Sequence, residues 1–269
     1  MATTAASGDL LQPSYPLAPT DKMLFSYPGG NFDGTALWAT YTSVPSAASA
    51  AAGAGAAGAD SKNIWYVAMA YCAKPGNQCH SRGPPPNVTL LESDLAPMVD
   101  ASSPPATLFD AIPKGAFNGS GAAFPASAAV SGHVAWSSRW LQQGLARHAE
   151  SGAPASSTAA AQADACAGIS VAPFGGATKA GAVMQMTGTQ LLNVAPLFSS
   201  GTALLGEAGK VTAVSTYRFA SVSATSATIR GKAGEVVELL FAKKSGAAYT
   251  CSSLSVKMPG SGTAVVKFP

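Results

Sequence analysis

Short apolar or alternating stretches, each closed by Gly, Pro, Ser or Asn, recur along this chain and predict strands rather than helices. In the N-terminal half they are Met23 to Tyr27, Ala36 to Val44, Asn63 to Tyr71 and Asn87 to Leu91. The stretch Asn63 to Tyr71 is apolar without alternation, which predicts a strand covered on both faces. From Ile169 the rhythm tightens. Strands are expected at 169–172, 181–187, 190–195, 202–205, 211–219, 227–231, 236–242, 254–258 and 264–268. Within 236–242, Val237, Leu239 and Phe241 make an uninterrupted apolar face opposite Glu238, and that face belongs between two sheets. In 211–219, Val211, Ala213, Ser215 and Tyr217 share one expected face, and Thr212, Val214, Thr216 and Arg218 the other. Neither face is purely apolar, so this strand is expected near a sheet surface.

Helical spacing occurs over Ser137 to His148, where Trp140, Leu141, Gly144 and Leu145 fall on one side. Ser93-Asp94-Leu95 would cap a short turn. Strand and helix do not alternate, which argues against a parallel α/β sheet. The expected fold is therefore all-β: an antiparallel β-sandwich or Greek-key or jelly-roll arrangement, with long Ala-, Gly- and Pro-rich loops and at most one or two short helices.

Two low-complexity stretches punctuate the chain. Ser46 to Ala59 is almost entirely Ala, Gly and Ser, with Gly53, Gly55 and Gly58 breaking any helix, and reads as a surface insertion. Ser151 to Ala163 reads as a linker, and 100–127 as loop. They suggest an N-terminal β-rich region over 1–150, carrying the 46–59 insertion, and a C-terminal β-sandwich region over 169–269. The 269 residues suit either two modest domains or one continuous one.

Composition narrows the function classes. Charged residues make up 11% and the net charge is +3, without a basic stripe, so the chain lacks the clustered cations that nucleic-acid binding needs. No apolar run is long enough for a transmembrane helix. Met1 to Pro13 lacks the basic and apolar regions of a signal peptide. The four cysteines are Cys72, Cys79, Cys166 and Cys251. Four cysteines allow three full pairings. Pro75-Gly76 between Cys72 and Cys79 would fold the chain back on itself, which makes this pair the candidate local disulfide. That pair, with the sequons at Asn87 and Asn118, tilts the setting toward a secreted or lumenal one.

Candidate chemistry is sparse. The sequence has no Gly-x-Ser-x-Gly elbow, phosphate loop, His-Glu-x-x-His or dinucleotide motif, and so implies no catalytic residue and no cofactor. Glu92 with Asp94 and Glu235 with Glu238 are the closest acidic pairs; on a strand Glu92 and Asp94 would share a face, but a solvated loop is the favoured reading of that pair. Cys72, Cys79 and His80 fall short of the four ligands of a structural metal site. Aromatic side chains are the candidate binding groups. Trp38 and Tyr41, three apart on a strand, point to opposite faces; Trp136 and Trp140 read as the more accessible pair, although their i,i+4 spacing equally suits packing; Trp65 reads as core, and core is the better reading for at least three of the four tryptophans.

The string Asn193-Val194-Ala195-Pro196-Leu197-Phe198-Ser199-Ser200-Gly201-Thr202-Ala203-Leu204-Leu205-Gly206, then Lys210 to Ser215, then Ile229-Arg230-Gly231-Lys232-Ala233-Gly234-Glu235-Val236, carries a resemblance. Over about residues 169–268 the chain resembles the C-terminal β-sandwich of raffinose-synthase-like and alkaline α-galactosidase-like proteins. The resemblance implies carbohydrate-active ancestry and an antiparallel accessory sandwich. It carries over no catalytic residue, because those belong to a (β/α)₈ barrel for which this chain has no pattern.

The first functional expectation is thus a non-catalytic binding or accessory β-sandwich, carbohydrate-associated, with a glycan or a protein as partner. The alternative is a structural assembly subunit, a jelly-roll capsid or shell protein, which low charge and many short strands also suit. A hydrolase whose groups sit in no linear motif is the third.

Overall fold

The computed structural model describes residues 3–4, 10–11, 13–14, 18–19, 35–46, 62–72, 87–95, 130–138, 165–175, 181–185 and 190–269. They form an all-β fold with one helical turn, α1 (Glu92–Leu95). The larger layer is a six-stranded sheet. Its order is β3 (Ala18–Pro19), β4 (Thr35–Pro45), β5 (Lys62–Cys72), β10 (Gln190–Phe198), β7 (Val130–Ser138) and β8 (Ile169–Phe174). The second layer holds two three-stranded sheets. One runs β11 (Thr202–Glu207), β14 (Val236–Ser245), β15 (Ala248–Lys257); the other runs β12 (Phe219–Val222), β13 (Ser226–Arg230), β16 (Thr263–Lys267). Two small pairs complete the fold: β1 (Thr3–Thr4) with β2 (Leu10–Leu11), and β6 (Asn87–Leu90) with β9 (Ala182–Gln185). Every pairing between these strands is antiparallel. Because β10 lies between β5 and β7, one sheet draws strands from both the 1–150 and the 169–269 regions.

The apolar run in β5 has the double cover its sequence predicts. Ile64, Tyr66 and Ala68 pack on one side against Leu90 of β6, Leu95 of α1 and Met184 of β9. Trp65, on the other side, joins the sandwich core with Leu204, Val237, Leu239 and Phe241. Two side-chain hydrogen bonds cross from β5 to the second layer. Trp65 Nε1 donates to the Leu204 carbonyl at 2.8 Å, and Asn63 Nδ2 to the Val222 carbonyl at 2.9 Å. One strand thereby fixes both second-layer sheets while satisfying polar atoms that burial would otherwise strand.

In β10 the ladder to β5 ends at Val194, and the register to β7 slips between Leu197 and Phe198. Pro196, with no N–H to give, sits in that gap, where a proline is tolerated inside a sheet. The slip also turns both Leu197 and Phe198 into the sandwich core. The chain then crosses to β11 through a turn closed by Gly201 N–H to the Phe198 carbonyl at 2.9 Å. At the far edge, Cys166, just before β8, is bonded to Cys251 of β15 across 85 residues of sequence, with Cα atoms 5.7 Å apart. This cross-link ties an edge strand of the first layer to an edge strand of the second. The other two cysteines are the candidate pair, of which Cys79 lies outside the described residues.

Two expectations need correction. Residues 211–218 are not a strand; β12 begins only at Phe219. Thr212, Ala213, Val214 and Ser215 are all buried in succession, which no pleated strand with one wet face allows. Their backbone instead serves turns: the Ala213 carbonyl accepts from Glu207 N–H, and the Ser215 carbonyl from the N–H groups of Arg218 and Phe219. Second, Ser137 and Ser138 belong to β7, not to a helix, because β7 is held on both sides by β10 and β8; 139–148 lie outside the described residues. Glu92 and Asp94 stand in a helical turn, where a short turn was expected at Ser93-Asp94-Leu95. Met23 to Tyr27, the insertion beyond Ser46, Cys79 and 100–127 also lie outside the described residues.

Candidate functional site

Downstream of β11 the chain builds a buried ionic cluster that no local motif announces. Arg218 is 2% exposed, yet carries a full charge among apolar strands. Its Nε donates to Glu207 Oε2 at 2.8 Å and its Nη2 to Glu235 Oε1 at 2.6 Å; Nη1 donates to the Arg230 carbonyl at 2.6 Å and to Glu235 Oε2 at 3.2 Å. Burial alone would lower the Arg218 pKa, but the hydrogen bonds it donates to Glu235 and Glu207, with the attraction of their charges, outweigh it and hold the group above its ordinary value. Glu235 also accepts from the Lys232 N–H at 2.8 Å. Close approach makes room for this arrangement. At Gly206, φ is +118°, and a Cβ there would run into the Ala213 carbonyl. At Gly231 a Cβ would stand 2.6 Å from Arg218 Nη1. The cluster therefore clamps the ends of β11 and β13 and the start of β14 to the 211–218 segment.

The residue before Arg218 is presented outward. Tyr217 is 52% exposed, the one aromatic above half exposure among the described residues. Its N–H is held by Ser215 Oγ at 3.3 Å, and the neighbouring Thr216 carbonyl accepts from Arg230 Nη1 at 3.3 Å. A ring on a backbone fixed this way loses little freedom on meeting a ligand.

The sequence-predicted aromatics are placed otherwise. Trp136 is 2% exposed and packs in the sandwich core, because strand β7 turns it inward; its expected accessibility is corrected. Trp65 is core, as expected. Trp38 and Tyr41 are half-buried on opposite faces of β4, and the Tyr41 ring lies 6.3 Å from that of Tyr66. Trp140 lies outside the described residues. Among the described residues, the structure thus brings none of Trp38, Tyr41 and Trp136 together with another. Tyr217 escaped the sequence reading because it was assigned to a strand face. The signal that could have found it is the charged Arg218 beside it, which fits poorly on a half-buried strand.

On the other face of the six-stranded sheet, His133 is buried beneath α1, with Nδ1 3.8 Å from Glu92 Oε1. That separation is too long for a hydrogen bond. Desolvation then dominates and lowers the His133 pKa to about 4, so the imidazole is neutral at pH 7. Its folded value lies below the ordinary 6.5, so the unfolded chain binds the proton first. The stability is complete above pH 6.5 and is lost as pH falls toward 4, by at most about 3 kcal/mol. Urea titrations at pH 7.5, 5.5 and 4.5 should show this loss in the natural protein and a shallower one in His133→Gln. Equal pH slopes would rule the assignment out. Among the described residues no group of three or more His, Cys, Asp or Glu is placed to hold a metal ion. No helix among them is long and apolar enough to cross a membrane.

No protein-family model, no curated protein and no solved structure matches this chain at a significant level.

Proposed function

We propose that this chain is a non-catalytic, carbohydrate-associated binding or accessory β-sandwich, and that Tyr217 is its contact ring. The observation that carries the reading is the pairing of an exposed ring with a locked backbone: Tyr217 is 52% exposed beside Arg218, which is 2% exposed and held by two carboxylates. An aromatic face offers a sugar ring apolar contact while its hydroxyl stays wet, and a rigid mount spares the ordering cost of binding. The engagement of Glu207 and Glu235 by Arg218 gives those acids a structural task. The resemblance of residues 169–268 to the accessory sandwich of raffinose-synthase-like proteins supports the carbohydrate class. The Cys166–Cys251 cross-link supports a secreted or lumenal setting.

A glycan array followed by calorimetry tests it. The natural protein should retain a defined set of glycans. Tyr217→Ala should weaken binding about tenfold or more at unchanged melting temperature, and Tyr217→Phe should keep most of it. Absence of any retained glycan would sink the reading. One observation favours the assembly-subunit reading, as a jelly-roll or other shell protein: Val265 and Val183 are 71% and 59% exposed on the edge strands β16 and β9. A large symmetric particle in a solution mass measurement would select it.

A further inference from the structure

We infer that the saccharide taken at the Tyr217 site is anionic, bearing uronate or sulfate groups, and lies along the outer face of the β12–β13–β16 sheet. This rests on the glycan-binding reading above and narrows it. The register settles which side chains share that face. Ser226 stands opposite Lys267, Thr228 opposite Val265 and Arg230 opposite Thr263. Ala227, Ile229 and Val266, between them, are buried in the core. Directly paired residues of an antiparallel ladder project to the same side, so β13 and β16 give the outer face two cations, three hydroxyls and one valine. Arg230, Thr263, Val265 and Lys267 are exposed.

Among the described residues no carboxylate is paired with those cations. Strands β12, β13 and β16 contain no Asp or Glu. Of the acids near these strands in sequence, Glu207 and Glu235 are turned inward onto Arg218, and Glu238 lies on β14 in the other second-layer sheet. Among the described residues neither Arg230 nor Lys267 has an ion-pair partner. Arg230 spends one Nη1 hydrogen bond on the Thr216 carbonyl, which orients its guanidinium beside the Tyr217 loop. Its remaining donors form the fork that matches a carboxylate or sulfate. Four residues separate Arg230 from the level of Lys267, or ~13 Å along the strand. The face is thus an extended strip with an aromatic end, hydroxyls along it and a cation toward each end. That pattern fits a chain of sugar rings carrying repeated negative charge.

The test uses the full chain and three defined probes: a galacturonate oligomer, a sulfated galactan oligomer and a neutral galactan oligomer of equal length. A single-stranded oligothymidylate serves as a polyanion of another class. Calorimetry at low and high salt should show at least one acidic oligomer binding tenfold or more tighter than the neutral one, with an affinity that falls as salt rises. The two acidic probes separate uronate from sulfate recognition. Arg230→Gln/Lys267→Gln should lose about tenfold on the acidic oligomers and lose the salt dependence, at a melting temperature near that of the natural protein. Tyr217→Ala should weaken every saccharide. If neutral galactan binds as well as the acidic oligomers and needs Tyr217, the anionic assignment falls and the glycan reading stands. Acidic binding that survives the double substitution overturns this face as its site. Oligothymidylate bound as tightly as the acidic sugars overturns saccharide recognition here. If nothing binds, the glycan reading falls first and this inference with it.

Discussion

Arg218→Met is expected to destabilise the fold by about 3–5 kcal/mol, because it leaves Glu235 without its cation and Glu207 with only Lys210, whose Nζ is 4.0 Å from Glu207 Oε1. The side chains of Glu207 and Glu235 are 8% and 7% exposed, so water replaces little of what Arg218 supplies. The guanidinium reaches Glu207 Oε2 at 2.8 Å and Glu235 Oε1 at 2.6 Å, and the Arg230 carbonyl would lose its 2.6 Å donor as well. Methionine fills comparable volume, so the loss reports on charge more than on a cavity. The triple substitution Arg218→Met/Glu207→Leu/Glu235→Leu should recover most of the stability, since an apolar replacement of a whole buried ionic group is often neutral or better. Urea titration of the three proteins decides the matter. A single substitution costing under about 1 kcal/mol would show that water or another cation reaches the carboxylates.

The same cluster shows where sequence reading stops. Strands β4, β5, β13 and β14 were legible because each is an apolar or β-branched run with its own stop signals, and local pattern is enough for that. The 211–219 stretch has the same composition, Val-Thr-Ala-Val-Ser-Thr-Tyr, but β-propensity describes fit to a half-buried pleated surface. Here the segment passes between the two second-layer sheets and buries four residues in a row. Arg218 finds its acids 11 and 17 residues away, across two turns, a spacing that no helical or strand period encodes. Trp136 misled for a related reason. Its four-residue spacing from Trp140 resembles a helix face, while its neighbours β10 and β8, distant in sequence, hold it in a strand. The Cys166–Cys251 bond was one of several arithmetically open pairings and depends on β8 and β15 meeting at the sheet edges. Of the proposed site, only the residue type, an aromatic, was among what the sequence suggested. Its position was not, because an exposed tyrosine differs from a core one only through contacts made elsewhere in the chain.

Leu239→Ala is expected to cost about 2–5 kcal/mol, through lost transfer energy and the cavity left behind. Leu239 lies in the middle of β14, opposite Glu207 of β11 on one side and Leu254 of β15 on the other. Its side chain is fully buried, with Val237 and Phe241 on the same face and Trp65 in the same core. The ladders on both flanks hold the backbone in place, so the walls of the hole have little freedom to close, which places the cost in the upper part of that range. Thr216→Ala is the control. Thr216 is half-buried in the 211–218 turn, and the group it contributes there is a backbone carbonyl, which alanine keeps. Its replacement should cost under ~1 kcal/mol. Denaturant midpoints at equal m-values compare the two directly. Equal and mild effects would mean that Leu239 does not sit between packed sheets, and the sandwich core built around it would have to be redrawn.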